Sequence, residues 1–231
     1  MGTPESVMNY ATTYLRIYFI GIIPNLIYNM GAGILRAIGD SRRPLLFLIA
    51  GCFTNIVLDL LFVVQFGMEV AGAAWATIIS QAVSAILVIL VLTRTSESYK
   101  LHLKKLRMDK VLVRRIVEIG LPAGLQSVMY NISNIIIQSS VNTLGTTTIA
   151  AYTAYSKIDS LFWMIMSAFG ISITTFVGQN YGANKPKRVK RGVNVCLGMS
   201  FITTIILSLI LYFFGVYIFR LFSSDPAVIE N

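Results

Sequence analysis

The chain has 231 residues, of which 55% are hydrophobic and only 13% charged, and it carries a net charge of +9. Such a make-up excludes a soluble globular domain of ordinary composition. So basic a soluble protein would suggest nucleic acid, but here the charge sits in short loops beside apolar stretches, which suits anionic headgroups and argues against a nucleic-acid partner.

Roughly 20 apolar residues cross a bilayer, and six stretches of that kind occur, centred near Ile22, Ile56, Ile79, Ile132, Phe162 and Leu207. The first runs from Ala11 to Leu35, with Pro24 near its middle predicting a kink. Arg36–Pro44 reads as a tight turn, and Pro44 is well placed to start the next helix. The second span, Leu45 to Phe66, carries Asn55 and Asp59, and the third, Val70 to Leu92, is opened by Gly72-Ala73-Ala74. Thr93 to Val117 is the one long polar segment. Its leucines and valines interleave with basic residues, which fits an amphipathic helix on the inner surface or a plain basic linker. The fourth span, Ile119 to Leu144, begins Gly-Leu-Pro-Ala-Gly and is rich in Asn and Gln. The fifth, Thr148 to Val177, contains Lys157 and Asp159, and the sixth runs from Val193 to Phe222. Gly120/Gly124 and Gly178/Gly182 have the spacing that permits close helix approach, although both pairs sit at span ends where turns or hinges also use glycine.

The basic residues fall in every second connection; only Arg16, Lys157 and Arg220 lie elsewhere. Cytoplasmic loops collect Lys and Arg. The expectation is therefore a multi-pass protein of the cell (inner) membrane with its basic loops cytoplasmic and both ends of this chain outside. Met1–Ser6 lacks a basic n-region and the first apolar stretch runs long, so no cleavable signal peptide is expected. Cys52 and Cys196 lie in apolar helices without a CxxC partner, and the single histidine, His102, is in a loop, so no metal cluster is expected. Walker A, HExxH, GxSxG and dinucleotide motifs are all missing, which argues against an enzyme.

Ionisable groups deep in a bilayer are costly and face a bundle interior or a water-filled path. Asp59 is the foremost case. Asn55 lies one turn earlier, so the two share a helix face. A carboxylate beside an amide suits a small cation or a proton, while a structural tie between helices is the plainer alternative. Lys157 and Asp159 are two apart and point to different faces. They are candidate members of intramembrane charge pairs, or Lys157 snorkels to an interface. Gln126, Asn131, Asn134, Gln138 and Asn142 make the fourth span polar, suiting either a hydrated cavity or an amide glue between helices.

Leu35-Arg36-Ala37-Ile38-Gly39-Asp40 with Pro44, Gly72-Ala73-Ala74-Trp75-Ala76-Thr77, Gly120-Leu121-Pro122 and Val177-Gly178-Gln179-Asn180-Tyr181-Gly182-Ala183 before a basic loop together resemble the multidrug and toxic compound extrusion (MATE) family. The resemblance covers essentially the whole chain and implies an all-α polytopic bundle, a fragment holding helices four to nine of a twelve-helix antiporter in two pseudo-symmetric lobes. Residues 1–96 would be the last three helices of the N-lobe, 97–117 the basic interlobe linker, and 118–231 the first three helices of the C-lobe. Met1-Gly2-Thr3-Pro4 reads like an interior loop of the family.

Members of the DinF-like branch bind their coupling cation with an Asn and an Asp four apart on the fifth helix and a Thr on the sixth; Asn55, Asp59 and Thr77 match. Tyr14 resembles a tyrosine lining the same lobe. The NorM-like branch relies on a glutamate of the seventh helix, where Tyr130 stands here, and this departure favours the DinF-like, N-lobe mechanism. An aspartate of the family's first helix would lie outside this chain, leaving the cation site incomplete. The resemblance thus implies no enzyme and no cofactor beyond a coupling ion, Na+ or H+, with no metal except a transported Na+. It implies export of cationic or amphipathic compounds by alternating access, through a cavity lined by Tyr14, Gln126, Tyr130, Asn134 and Gln138. The implied partners are an organic cation substrate, the lipid bilayer and the remaining helices of the same protein. Two alternatives stay open: a flippase for lipid-linked oligosaccharides from the same superfamily, and a truncated membrane protein that transports nothing.

Overall fold

The computed structural model describes residues 5–220; the loop-like Met1–Pro4 and the last residues of the sixth predicted span lie outside them. The chain divides into two units, Met1–Leu106 and Arg107–Asn231, with the division inside the polar segment. The first unit contains α1 (Glu5–Ile20), α2 (Ile22–Ala37), α3 (Arg42–Asp59), a π-helical turn (Leu60–Gln65) and α4 (Glu69–Arg94). The second contains α5 (Lys110–Asn142), α6 (Thr146–Gly182) and α7 (Pro186–Arg220). Hydrophobic residues cover most of the outer surface, as a bundle solvated by lipid requires.

α1 and α2 form one bent pair, with an angle of 43° at the break. Pro24 has no N–H to offer the Ile20 carbonyl, so the chain yields one turn before the proline itself. The break falls at Gly21, whose N–H turns back to the Tyr18 carbonyl at 2.9 Å. Glycine is required there for a second reason: a Cβ would stand 2.7 Å from Cγ1 of Ile78 on α4.

α4 is the central helix of the first unit. Tyr28, Ala32 and Leu35 of α2 and Phe47 of α3 form one buried cluster with Ala85, Val88 and Leu92 of α4. A Cβ on Gly51 of α3 would run into Oγ of Ser84, which donates to the Phe47 carbonyl at 3.0 Å. Gly51→Ala is therefore expected to force α3 and α4 apart and destabilise the unit by about 1–3 kcal/mol; its thermal midpoint in detergent, compared with Gly33→Ala where the space is open, checks this. The glycine pairs at 120/124 and 178/182 meet nothing within 4 Å of a built Cβ. Close approach belongs to Gly21, Gly31 and Gly51, which face α4, and to Gly192 of α7, which lies against the Phe176 ring of α6.

Two loops repeat one construction. At the end of α2, Gly39 (φ +89°) and Asp40 return their N–H groups to the carbonyls of Arg36 and Leu35, both at 2.9 Å. At the end of α6, Asn184 (φ +54°) and Lys185 do the same to Tyr181 and Asn180, at 3.0 and 2.9 Å. Both closures satisfy the orphan carbonyls of a helix end through a left-handed residue, and each is followed by a proline in the first turn of the next helix.

The polar segment departs from the amphipathic-helix expectation. Beyond α4 it has only one 3-10 turn, Leu103–Lys105, before α5. Its first part folds back: the Leu101 N–H donates to the Leu92 carbonyl at 2.8 Å, and Tyr99 and Leu101 pack on the buried cluster, while Leu103 and Leu106 stay exposed. The basic end of the segment is the first turn of α5, capped by Asp109 accepting from Val111 and Leu112.

Residues Arg42–Gln65, Glu69–Arg94, Thr148–Gly182 and Pro186–Gly215 are each long and apolar enough to cross a membrane, and the bent α1–α2 pair makes a fifth if it is one span. The fourth predicted span falls on α5, which has 33 residues but is too polar to qualify by composition, since Gln126, Asn131, Asn134, Gln138 and Asn142 all lie on it.

Candidate functional site

The polar centre of the first unit lies where α3 gives way to the π turn. Asp59 is the last residue of α3 and Asn55 lies one turn earlier. Both are half-buried, yet the Asn55 amide nitrogen and Oδ1 of Asp59 are fully enclosed without a hydrogen-bond partner. An enclosed, unpaired carboxylate oxygen costs free energy that a cation or a proton would recover.

The register of α3 against α4 brings Thr77 to this level. Gly51 abuts Ser80 and Ser84, and Gly72 abuts Phe62 in the π turn. Interpolating between these two anchors of an antiparallel pair sets Thr77 opposite Val57, midway between Asn55 and Asp59. Its hydroxyl donates to the Ala73 carbonyl at 2.9 Å, which leaves the Thr77 oxygen free to accept or to coordinate. Among the described residues no cluster of three His, Cys, Asp or Glu exists. π turns widen a helix and leave a carbonyl without its usual partner, and they recur at functional sites.

The second unit contains a cavity of about 1170 Å3 between α5 and α6. Gln126, Tyr130, Asn134 and Gln138, expected as cavity residues, all line it, together with Asn131. Gln138 donates to Oδ1 of Asn142 at 2.9 Å and Asn131 donates to the Ser127 carbonyl at 2.8 Å, so both amides turn their oxygens outward as acceptors. Facing them are Tyr152, Tyr155, Asp159 and Trp163 of α6. Tyr130 and Trp163 meet at 6.1 Å in an edge-on contact across the two helices.

Sequence reasoning set Asp159 and Lys157 on different helix faces as separate charge-pair candidates and overlooked the aromatic residues of α6. The spacing of Tyr152, Tyr155, Asp159 and Trp163 is three to four residues, the signature of one helix face, and could have revealed them. Among the described residues the ion pairs are Arg43–Asp40 and Arg114–Glu118; Asp159 instead faces the cavity and Lys157 is exposed. Tyr14 belongs to the first unit, where it stacks on Tyr18 at 5.9 Å, and it is not among the residues lining this cavity. Cys52 and Cys196 are both free.

Helices of bilayer-spanning length define a multi-pass membrane protein. The chain belongs to the MatE family, whose model matches residues 1–61 and 122–231. It is 33% identical over 227 residues to a probable multidrug resistance protein, YpnP, of Bacillus subtilis, covering 98% of this chain and 50% of that protein. A FAD transporter of Shewanella oneidensis is 25% identical, with 100% of this chain and 52% of that protein covered. Among solved structures, an outward-facing multidrug resistance MATE family transporter of the MOP superfamily matches with a TM-score of 0.87 and 26% identity, over 100% of this chain and 52% of that one. The chain thus spans about half the length of the relatives it matches.

Proposed function

We propose that this chain is part of a secondary antiporter that exports cationic or amphipathic compounds in exchange for Na+ or H+ by alternating access. The observation that carries this reading is the pair of enclosed, unpartnered atoms on Asn55 and Asp59, at the level of Thr77 and beside a π turn. An ion or proton taken up there satisfies the Asp59 oxygen, and it drives a conformational change to the extent that one state binds it better. The basic loops face the cytoplasm in this reading, with the chain in the cell membrane. Substrate is held in the α5–α6 cavity, where the Asp159 carboxylate and the faces of Tyr152, Tyr155 and Trp163 attract positive charge. The deciding experiment is ion-gradient-driven efflux from proteoliposomes holding the antiporter of which this chain is part, with and without Asp59→Asn; coupling retained by the variant would remove the assignment.

The amide oxygens of Asn131 and Gln138 support a second reading, in which the cavity holds the sugar of a lipid-linked oligosaccharide. Charge separates the two readings, since a neutral sugar gains nothing from Asp159.

A further inference from the structure

A second cavity, of about 580 Å3, lies between α6 and α7. Phe169, Ile173 and Phe176 of α6 and Met199 of α7 form its apolar wall, and Arg188 and Arg191 line its loop end. The two arginines are three apart on α7 and share a face; Met199 lies about 12 Å further along the axis at 1.5 Å per residue. The cavity therefore offers two cations at one end and a strip of apolar surface leading away from them.

Nothing in the neighbouring sequence neutralises those cations. No Asp or Glu occurs between Asp159 and Asp225, and among the described residues neither arginine makes an ion pair. Guanidinium groups match phosphate oxygens in a fork geometry, and basic pockets between membrane helices at the cytoplasmic face suit anionic headgroups. A free inorganic anion would leave the apolar wall uncovered, whereas a phospholipid covers both parts at once.

We propose that this cavity holds one anionic phospholipid, its phosphate between Arg188 and Arg191 and the first part of an acyl chain against Phe169, Ile173, Phe176 and Met199. The reading goes beyond the transport assignment and depends on it only for the leaflet, the cytoplasmic one, that supplies the lipid.

The test is native mass spectrometry of the full chain in mild detergent, titrated with phosphatidylglycerol or with phosphatidylcholine of the same acyl chains. Phosphatidylglycerol is expected to bind on the order of tenfold more tightly. Arg188→Gln with Arg191→Gln should bring the two lipids within about twofold of each other. Lys187→Gln with Lys190→Gln, an equal charge loss outside the cavity lining, should leave the preference in place. Ile173→Trp, which fills the apolar wall and spares both arginines, should weaken phosphatidylglycerol binding, so the proposal stays testable if the arginine variant does not fold. Equal binding of the two lipids, equal effects of the lysine and arginine pairs, or displacement of phosphatidylglycerol by millimolar inorganic phosphate would each overturn it.

Discussion

Asp59→Asn is expected to abolish ion-coupled efflux and, at the same time, to leave the chain as stable as before or slightly more so. The two halves of this result come from one feature, the enclosed Oδ1 of Asp59 without a partner. Asparagine keeps the shape but carries no charge, so the site can neither release a proton nor balance a cation. Coupled transport should fall to the level of vesicles without protein. Stability should not fall, because removing a buried, uncompensated charge removes its desolvation cost. A structural tie would behave in the opposite way, since breaking a buried hydrogen-bonded pair lowers stability by about 3–5 kcal/mol. Thermal unfolding in detergent separates the two outcomes. The same experiment has a second readout: a coupling ion that binds the folded state stabilises it by about 2.7 kcal/mol at one hundred times its dissociation constant. The native chain should show that upward shift with the coupling ion, and Asp59→Asn should not.

Asp159→Asn is expected to weaken binding of a monovalent organic cation by about tenfold and to leave a neutral analogue of the same size unaffected. Two unit charges 4 Å apart attract by about 4 kcal/mol at an effective dielectric constant of 20. Asp159 is only half-buried, so water screens a large part of that, and about 1.4 kcal/mol, or tenfold, remains. Trp163→Ala should cost the cation a further few-fold through loss of an aromatic face, and it also removes the edge contact with Tyr130. Tryptophan fluorescence quenching, or competition with a fluorescent cation, measures both variants. Equal losses for charged and neutral ligands would show that Asp159 acts only on cavity shape and would favour the oligosaccharide reading.

Much of this was legible in the sequence for a local reason. Asn55 and Asp59 share a face because helical periodicity alone puts residues four apart on one side, and their cost in lipid marks them without any fold. The amide stripe of α5 was legible in the same way. Asp159 was marked only as an intramembrane charge, because the groove it shares with Tyr152, Tyr155 and Trp163 exists only once α5 and α6 pack. Of the two readings of the polar segment, helix or basic linker, the sequence could not choose, because Tyr99 and Leu101 cover the end of the α2–α4 cluster, and that surface exists only once α2 and α4 have met.

By itself the sequence determined the class of molecule, the direction of its basic loops as a proposal, and which polar residues must justify their place in a membrane. These follow from composition and from periodicity within single helices, where the bilayer does most of the selecting. Tertiary structure alone decided the remainder. It chose Gly21, Gly31, Gly51 and Gly192 as points of close approach, over the glycine pairs with the expected spacing. It joined the amides of α5 to the aromatic face of α6 in one cavity. Each of these depends on how two helices distant in the chain cross and on the register at which they lock, and that is settled by packing at their shared surface.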